Sequence, residues 1–280
     1  MTPLVTTEWL AAEIGKSDLR VIDATLIPPG ESGEARAAFE AAHIPGAVFF
    51  DLDEIVDNSS ELPHMLPLPE KFASRMQALG LGDGSRIVVY DNSPLHSSAR
   101  AWWMLTLFGA HEVSILDGGL AKWQAEGRAI ESGRPIVRHR HFTVWADKKS
   151  VRTQAQMHDI LRSKAEQIVD ARSAGRFTGT EPEPRAGLRS GHIPGSKNLP
   201  IAKLFNDDGT WKQGDALTAA FTEAGVDISK PIVTTCGSGV TASVIYFGAT
   251  LLGAKNLALY DGSWAEWGAS ASNPVVTGAV

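Results

Sequence analysis

The chain has 280 residues with 26 Lys or Arg and 32 Asp or Glu, a formal net charge of −6, and 43% hydrophobic residues. This is the composition of a soluble globular protein of one large domain or two ordinary ones, not of a disordered or fibrous chain. It argues against a nucleic-acid binder, which needs a basic stripe, and no apolar run reaches the ~18 residues of a membrane span.

The start, MTPLVTTEWLAAEIG, has no basic flank or apolar core and is not expected to be a secretory signal. Within it, TTEWLAAEI (6–14) reads as a helix with Thr6 placed to cap it. RVIDA (20–24) follows as a strand, then AHIPGA (42–47) and the irregular FFDLDEIVDNSSELPHMLP. PEKFASRMQAL reads as a helix with Pro69 at its first position, RIVVY and VSIL as strands. The polar, basic stretch ESGRPIVRHRHFTVWADKKS (131–150) then breaks the pattern.

Beyond it the grammar repeats. TQAQMHDILRSK opens on Thr153 as a helix, and QIVDA (167–171) mirrors RVIDA. GHIPGS (191–196) mirrors AHIPGA, PIVTTC (231–236) mirrors RIVVYD (86–91), and ALYDGSWAEW (258–267) mirrors SILDGGLAKW (114–123). Four matches in one order, at offsets of 144 to 149 residues, mark a duplicated domain. Strands alternating with helices predict a parallel sheet covered on both faces. The expected fold class is therefore α/β, two tandem copies of a small parallel sheet flanked by helices. The expected domains are 1–135 and 151–280, joined by a linker at 136–150.

Cys236 is the only cysteine. It excludes an internal disulfide and a thiolate metal cluster. On count alone it reads as a small buried hydrophobe; its surroundings argue otherwise. It ends the strand Pro231–Thr235 and is followed by Gly237, Ser238, Gly239, Val240 and Thr241, then by the helical VIYFGATLL. Ligands of open α/β sheets bind at the carboxyl ends of strands. Two glycines before a helix N-terminus let successive N–H groups face an anion, which favours a thiolate. Tyrosine phosphatases share such a loop but carry an Arg six positions after the Cys; here that position is Ala242, which disfavours phosphoryl chemistry.

On these residues the whole chain resembles the two-domain rhodanese-type sulfurtransferases, and is identified as a member of that family. Thiosulfate enzymes usually carry charged residues after the Cys, as in CRKGVT. CGSGVT instead resembles the loop of the 3-mercaptopyruvate sulfurtransferases. The resemblance implies that the C-terminal copy is catalytic and the N-terminal copy, with Asp91 at the aligned position, is not. It implies a Cys236 persulfide, with the loop residues Gly237, Gly239, Val240 and Thr241 around the substrate sulfur. It implies a small-molecule substrate, 3-mercaptopyruvate, and a sulfur acceptor such as thioredoxin, a small thiol or cyanide. A second thiol is lacking, so the acceptor must come from outside.

Arg176 and Arg185 lie on the loop GRFTGTEPEPR, where arginines suit a carboxylate or pair with Glu181 and Glu183. The resemblance assigns them the carboxylate and keto group of mercaptopyruvate. It also implies a relay of Ser238 with His64 and Asp53 from the N-terminal domain, and so an active site at the domain interface; the bland alternative for His64, between Pro63 and Met65, is a packed loop histidine. His43 and His192 recur in both HIPG segments and are expected to be structural. No GxGxxG, Walker loop or metal-ligand spacing appears, so neither nucleotide cofactor nor metal is expected. The resemblance further implies a monomer in the cytoplasm that binds neither nucleic acid nor membrane. The alternatives are a thiosulfate:cyanide sulfurtransferase and a non-catalytic persulfide carrier or binding module.

Overall fold

The computed structural model describes residues 1–279. The chain divides into two compact units. Unit one holds residues 1–58, 66–147 and 206–210; unit two holds 59–65, 148–205 and 211–280.

Unit one contains β1 (Leu4–Val5), α1 (Thr7–Glu13), β2 (Leu19–Asp23), α2 (Ala35–Ala41), β3 (Ala47–Phe49), α3 (Pro69–Ala78), β4 (Arg86–Tyr90), α4 (Ser98–Leu107), β5 (Glu112–Leu116) and α5 (Gly119–Ala125). Its sheet runs in the order β1-β5-β4-β2-β3, with every pairing parallel. Unit two repeats this with β6 (Val151–Arg152), α6 (Gln154–Ser163), β7 (Gln167–Asp170), α7 (Ala174–Thr178), β8 (Lys197–Asn198), α8 (Gly214–Glu223), β9 (Ile232–Thr235), α9 (Ala242–Leu251), β10 (Leu257–Tyr260) and α10 (Ser263–Trp267). The order is again β6-β10-β9-β7-β8, all parallel. The duplicated α/β architecture expected from the sequence is thus present, and the two sheets match each other strand for strand.

The residue types account for the elements. β4 and β9 are runs of β-branched and aromatic residues buried along nearly their whole length, as strands covered on both faces must be. Thr6 accepts a hydrogen bond from Trp9 N–H, and Thr153 closes a full capping box with Gln156, so each unit's first helix starts where its threonine stands. Pro69 occupies the first turn of α3. In unit one the core forms around Val88, Tyr90, Phe39, Leu116 and Trp123; in unit two around Val233, Ile193, Tyr260, Trp264 and Trp267.

The two HIPG segments do the same work in both units. His43 Nδ1 lies 2.8 Å from Phe39 O, and His192 Nδ1 lies 2.7 Å from Phe177 O. Each ring stacks on that same phenylalanine, and each backbone pairs with a distant strand-like residue, His43 with Glu131 and His192 with Val276. Burial holds His192 below the ordinary histidine range, so it packs as the neutral ring.

Residues 136–147, expected as linker, lie along unit one. His141 O accepts from Asp83 N–H at 2.9 Å, and Trp145 N–H donates to Phe108 O at 3.0 Å. A Cβ on Gly82 would stand 2.8 Å from Arg140 Cβ, so this close approach requires glycine.

Candidate active site

The register aligns β2 with β4 at Asp23 and Tyr90, and β7 with β9 at Asp170 and Thr235. Asp91 and Cys236 are therefore the same position in two copies, one residue past the central strand. Cys236 is 2% exposed and is the free thiol of the chain.

Hydrogen bonds to its N–H and C=O fix the cysteine's backbone, and a further one holds Gly237. The Cys236 N–H donates to Ser263 Oγ at 3.2 Å, and that hydroxyl donates to Tyr260 O at 2.8 Å. Trp264 N–H donates to Cys236 O and Ala265 N–H to Gly237 O, both at 2.9 Å. Thus the start of α10 grips the loop from the next strand end. Ser263 holds φ 49°, in the left-handed region that costs a non-glycine residue ~1–2 kcal/mol. Its counterpart in unit one is Gly119, at φ 56°, where no such cost arises. Sequence reading missed Ser263, although the signal was there: DGG in one copy stands against DGS in the other.

Beyond Cys236 the loop is buried through Val240, and Gly239 turns it with φ 81°. Among the described residues, nothing accepts a hydrogen bond from the N–H groups of Gly237, Ser238, Val240 or Thr241. Buried N–H groups are normally paired, so a run of open donors at a helix start is a cradle for a negatively charged atom. Ser243 Oγ donates to Gly239 O at 3.1 Å and closes the loop onto α9.

Ser238 Oγ lies 2.9 Å from His64 Nδ1. The segment 59–65 that carries His64 groups with unit two, although its sequence falls within the first repeat. His64 itself holds φ 59°, an uncommon conformation that histidine tolerates better than most residues. Asp53 belongs to unit one, where it is exposed and its N–H donates to Asp51 Oδ1 at 3.2 Å.

Arg176 and Arg185 converge on the loop from the segment after β7. A Cβ added at Gly237 would stand 3.1 Å from Arg176 Nη2 and 3.7 Å from Arg185 Nη1. Glycine here keeps open the space that two guanidinium groups approach. Burial holds Arg185 below the ordinary arginine range, opposed by the neighbouring Cys236. Among the described residues no carboxylate pairs with Arg185.

Arg176 is held differently. Its Nη2 donates to Glu183 Oε2 at 2.6 Å and its Nε to Glu183 Oε1 at 3.3 Å. Glu183 Oε1 also accepts from Arg172 Nη1 at 2.6 Å. Arg172 is wholly buried, donates to both oxygens of Asp170 and to Gly191 O, and lies 4.2 Å over the Trp264 ring. Burial alone would lower the Arg172 value, but Asp170 and Glu183 outweigh it and raise it. Glu181 is engaged elsewhere, accepting from Ser173 Oγ at 2.9 Å. Among the described residues no group of three or more His, Cys, Asp or Glu side chains could hold a metal ion.

The rhodanese-like domain profile matches twice, at residues 6–126 and 153–270. The chain belongs to the rhodanese-like domain family. The 3-mercaptopyruvate sulfurtransferase of Escherichia coli (strain K12) is 44% identical over 278 residues, covering 98% of each chain. A thiosulfate sulfurtransferase of Cricetulus griseus is 41% identical over 271 residues, covering 94% of this chain and 91% of its own. The crystal structure of SseA from Escherichia coli, described as a 3-mercaptopyruvate sulfotransferase with the rhodanese fold, superimposes with a TM-score of 0.87 at 40% identity, over 94% of this chain and 99% of that one. Within this rhodanese pair of domains, no described helix is long and apolar enough to cross a membrane.

Proposed function

We propose that this rhodanese-family chain is a sulfurtransferase that takes the sulfur of 3-mercaptopyruvate onto Cys236 and passes it to an external thiophile. The observation that carries the reading is the convergence of two arginines on Gly237, beside a cysteine whose loop offers open N–H donors. A small substrate with a carboxylate at one end and a sulfur two carbons beyond it suits that arrangement, with the arginines on the carboxylate and keto oxygen and the sulfur over Cys236.

The chemistry balances without an added oxidant or reductant. Cys236 thiolate attacks the substrate thiol sulfur, an S–S bond forms and the C–S bond breaks. The electron pair passes to the substrate carbon as the pyruvate enolate. The proton first carried by the substrate thiol ends on that carbon, giving pyruvate and a Cys236 persulfide anion. Ser238 and His64, in hydrogen-bond reach of one another, are the groups that move this proton. Loop N–H groups of Gly237, Ser238, Val240 and Thr241 stabilise the charge on the outer sulfur, as an oxyanion hole does on oxygen. Transfer to a small thiol, thioredoxin or cyanide restores the thiolate and completes a ping-pong cycle. A lone thiol that must stay reduced between turnovers fits a reducing compartment such as the cytoplasm.

Purified protein should release pyruvate from 3-mercaptopyruvate in the presence of a thiol, and Cys236→Ser should not. Substantial turnover by the serine variant would overturn the assignment of the nucleophile. A thiosulfate donor is the second reading, favoured by the Cricetulus griseus relative. The uncharged Gly237 and Ser238 oppose it, and kcat/KM on the two donors decides between them.

A further inference from the structure

We propose that Glu183 is a positioning residue for the donor substrate: it fixes the plane of Arg176 beside Gly237, so that one arginine is set in advance while Arg185 is completed by the ligand. This rests on the reading that both arginines bind the substrate's carboxylate and keto group.

The Glu183 side chain is 2% exposed and uses both oxygens. Oε1 is shared between Arg172 Nη1 and Arg176 Nε, and Oε2 takes Arg176 Nη2. One edge of the Arg176 guanidinium is thereby committed, which sets its plane and leaves Nη1 and the second hydrogen of Nη2, the atom nearest Gly237, for a ligand. Glu183 can hold that edge because it does not move itself. It is tied to Arg172, whose side chain is 0% exposed, and Arg172 is tied to Asp170 at the end of β7. A line of alternating buried charges, Asp170, Arg172, Glu183, thus runs from the sheet to the substrate side of the loop.

Arg185 has no such support. It stands half-buried near the same loop atom, with no carboxylate in ion-pair contact among the described residues; burial disfavours its charged form, and Glu183 and Cys236 act on it only at longer range. An incoming carboxylate supplies what the protein does not. A pair of arginines held in these two ways binds an anion with one fixed contact and one that closes on it, so less ordering remains to be done at the moment of binding.

The test is a double-mutant cycle on the full chain, measuring kcat and KM for 3-mercaptopyruvate in the wild type, Glu183→Gln, Arg176→Lys and the double variant. Glu183→Gln should raise KM on the order of 10-fold, with a smaller change in kcat. In the Arg176→Lys background it should add no more than about 2-fold, because the planar fork it positions is gone. Effects that multiply across the two sites, or an unchanged KM in Glu183→Gln, would overturn the proposal. If the Gln variant does not fold, Glu183→Asp keeps the charge beside Arg172 but is too short to span both arginines. It should show the same rise in KM, and a wild-type KM would overturn the proposal. A wild-type chain that releases no pyruvate would instead remove the functional reading beneath it.

Discussion

At the end of β4, Asp91 turns its carboxylate back on its own loop: Ser93 N–H donates to Oδ1 at 3.0 Å and Ser98 N–H to Oδ2 at 2.7 Å. Thr25, Ser93 and Ser97 hydroxyls take up further backbone groups nearby. At the end of β9 the same position is Cys236, and the loop donors after it are left open. The backbone frame is common to both copies; only one leaves its anion cradle for a ligand. The segments after β2 and β7 differ in the same sense. Asp170 meets a buried arginine, whereas Asp23 is hydrogen-bonded by Thr25 and Tyr90 and has no arginine partner among the described residues, and burial pushes its carboxyl above the ordinary range. The Cys236 copy carries paired charges and open donors, and the Asp91 copy a carboxylate closed on its own loop.

The largest effect expected is from exchanging the loop residues. Cys236→Ser should abolish pyruvate release, and adding Asp91→Cys to it should restore none, because residues 24–34 after β2 contain no arginine. Turnover by the double variant would show that the frame alone suffices.

Next come the two strand-end aspartates, compared by chemical denaturation. Asp170→Asn leaves Arg172 short of a partner in the core and should cost about 3–5 kcal/mol. Asp23→Asn should be neutral or slightly stabilising at pH 7. The sign follows from the raised Asp23 value: the folded state holds the proton more tightly, so stability contributed by this group falls as pH rises from its ordinary value, ~3.9, through the raised one. The gain from Asp23→Asn should therefore shrink on acidification. A gain that grows instead would contradict the assignment.

Arg185→Ala should lower kcat/KM by roughly 10- to 100-fold, the equivalent of a charged hydrogen bond worth about 1.5–3 kcal/mol, with little change in denaturation midpoint. Ser263→Gly gives unit two the residue that unit one has at this turn. It relieves the left-handed strain and removes the hydroxyl that receives Cys236 N–H, so stability should stay within ~1 kcal/mol while kcat falls several-fold. An unchanged kcat would remove Ser263 from the account.

The smallest contrast is at the last strand residue. Thr235 Oγ1 is buried with no partner, whereas Tyr90 OH takes Ile44 N–H at 3.2 Å. Thr235→Val should be neutral or stabilising by under ~1 kcal/mol, and Tyr90→Phe destabilising by ~1 kcal/mol or more, both read from denaturant midpoints.

Much of this was legible in the sequence because the duplication repeats its strongest signals. RIVVY and PIVTT are too β-branched to be anything but strands, and Thr6, Pro69 and Thr153 mark their helix starts without tertiary help. The two-residue strands β1, β6 and β8 were not legible, since periodicity needs more residues than they have. At the site, the cysteine loop could be read locally, whereas the arginine partners could not. Arg176 and Arg185 had two neighbouring glutamates to choose from, and only the fold sends Glu183 to Arg176, Glu181 to Ser173, and leaves Arg185 without a carboxylate. The role of Arg172 was hidden for a related reason: its spacing from Asp170 means nothing until β7 ends between them and buries both.

The central claim is that Cys236 carries the sulfur. Mass spectrometry of protein treated with 3-mercaptopyruvate, without reductant, tests it most directly. The account predicts the added mass of one sulfur atom on the peptide containing Cys236, lost on later addition of a thiol or cyanide. Pyruvate release with an unmodified Cys236 peptide would contradict it.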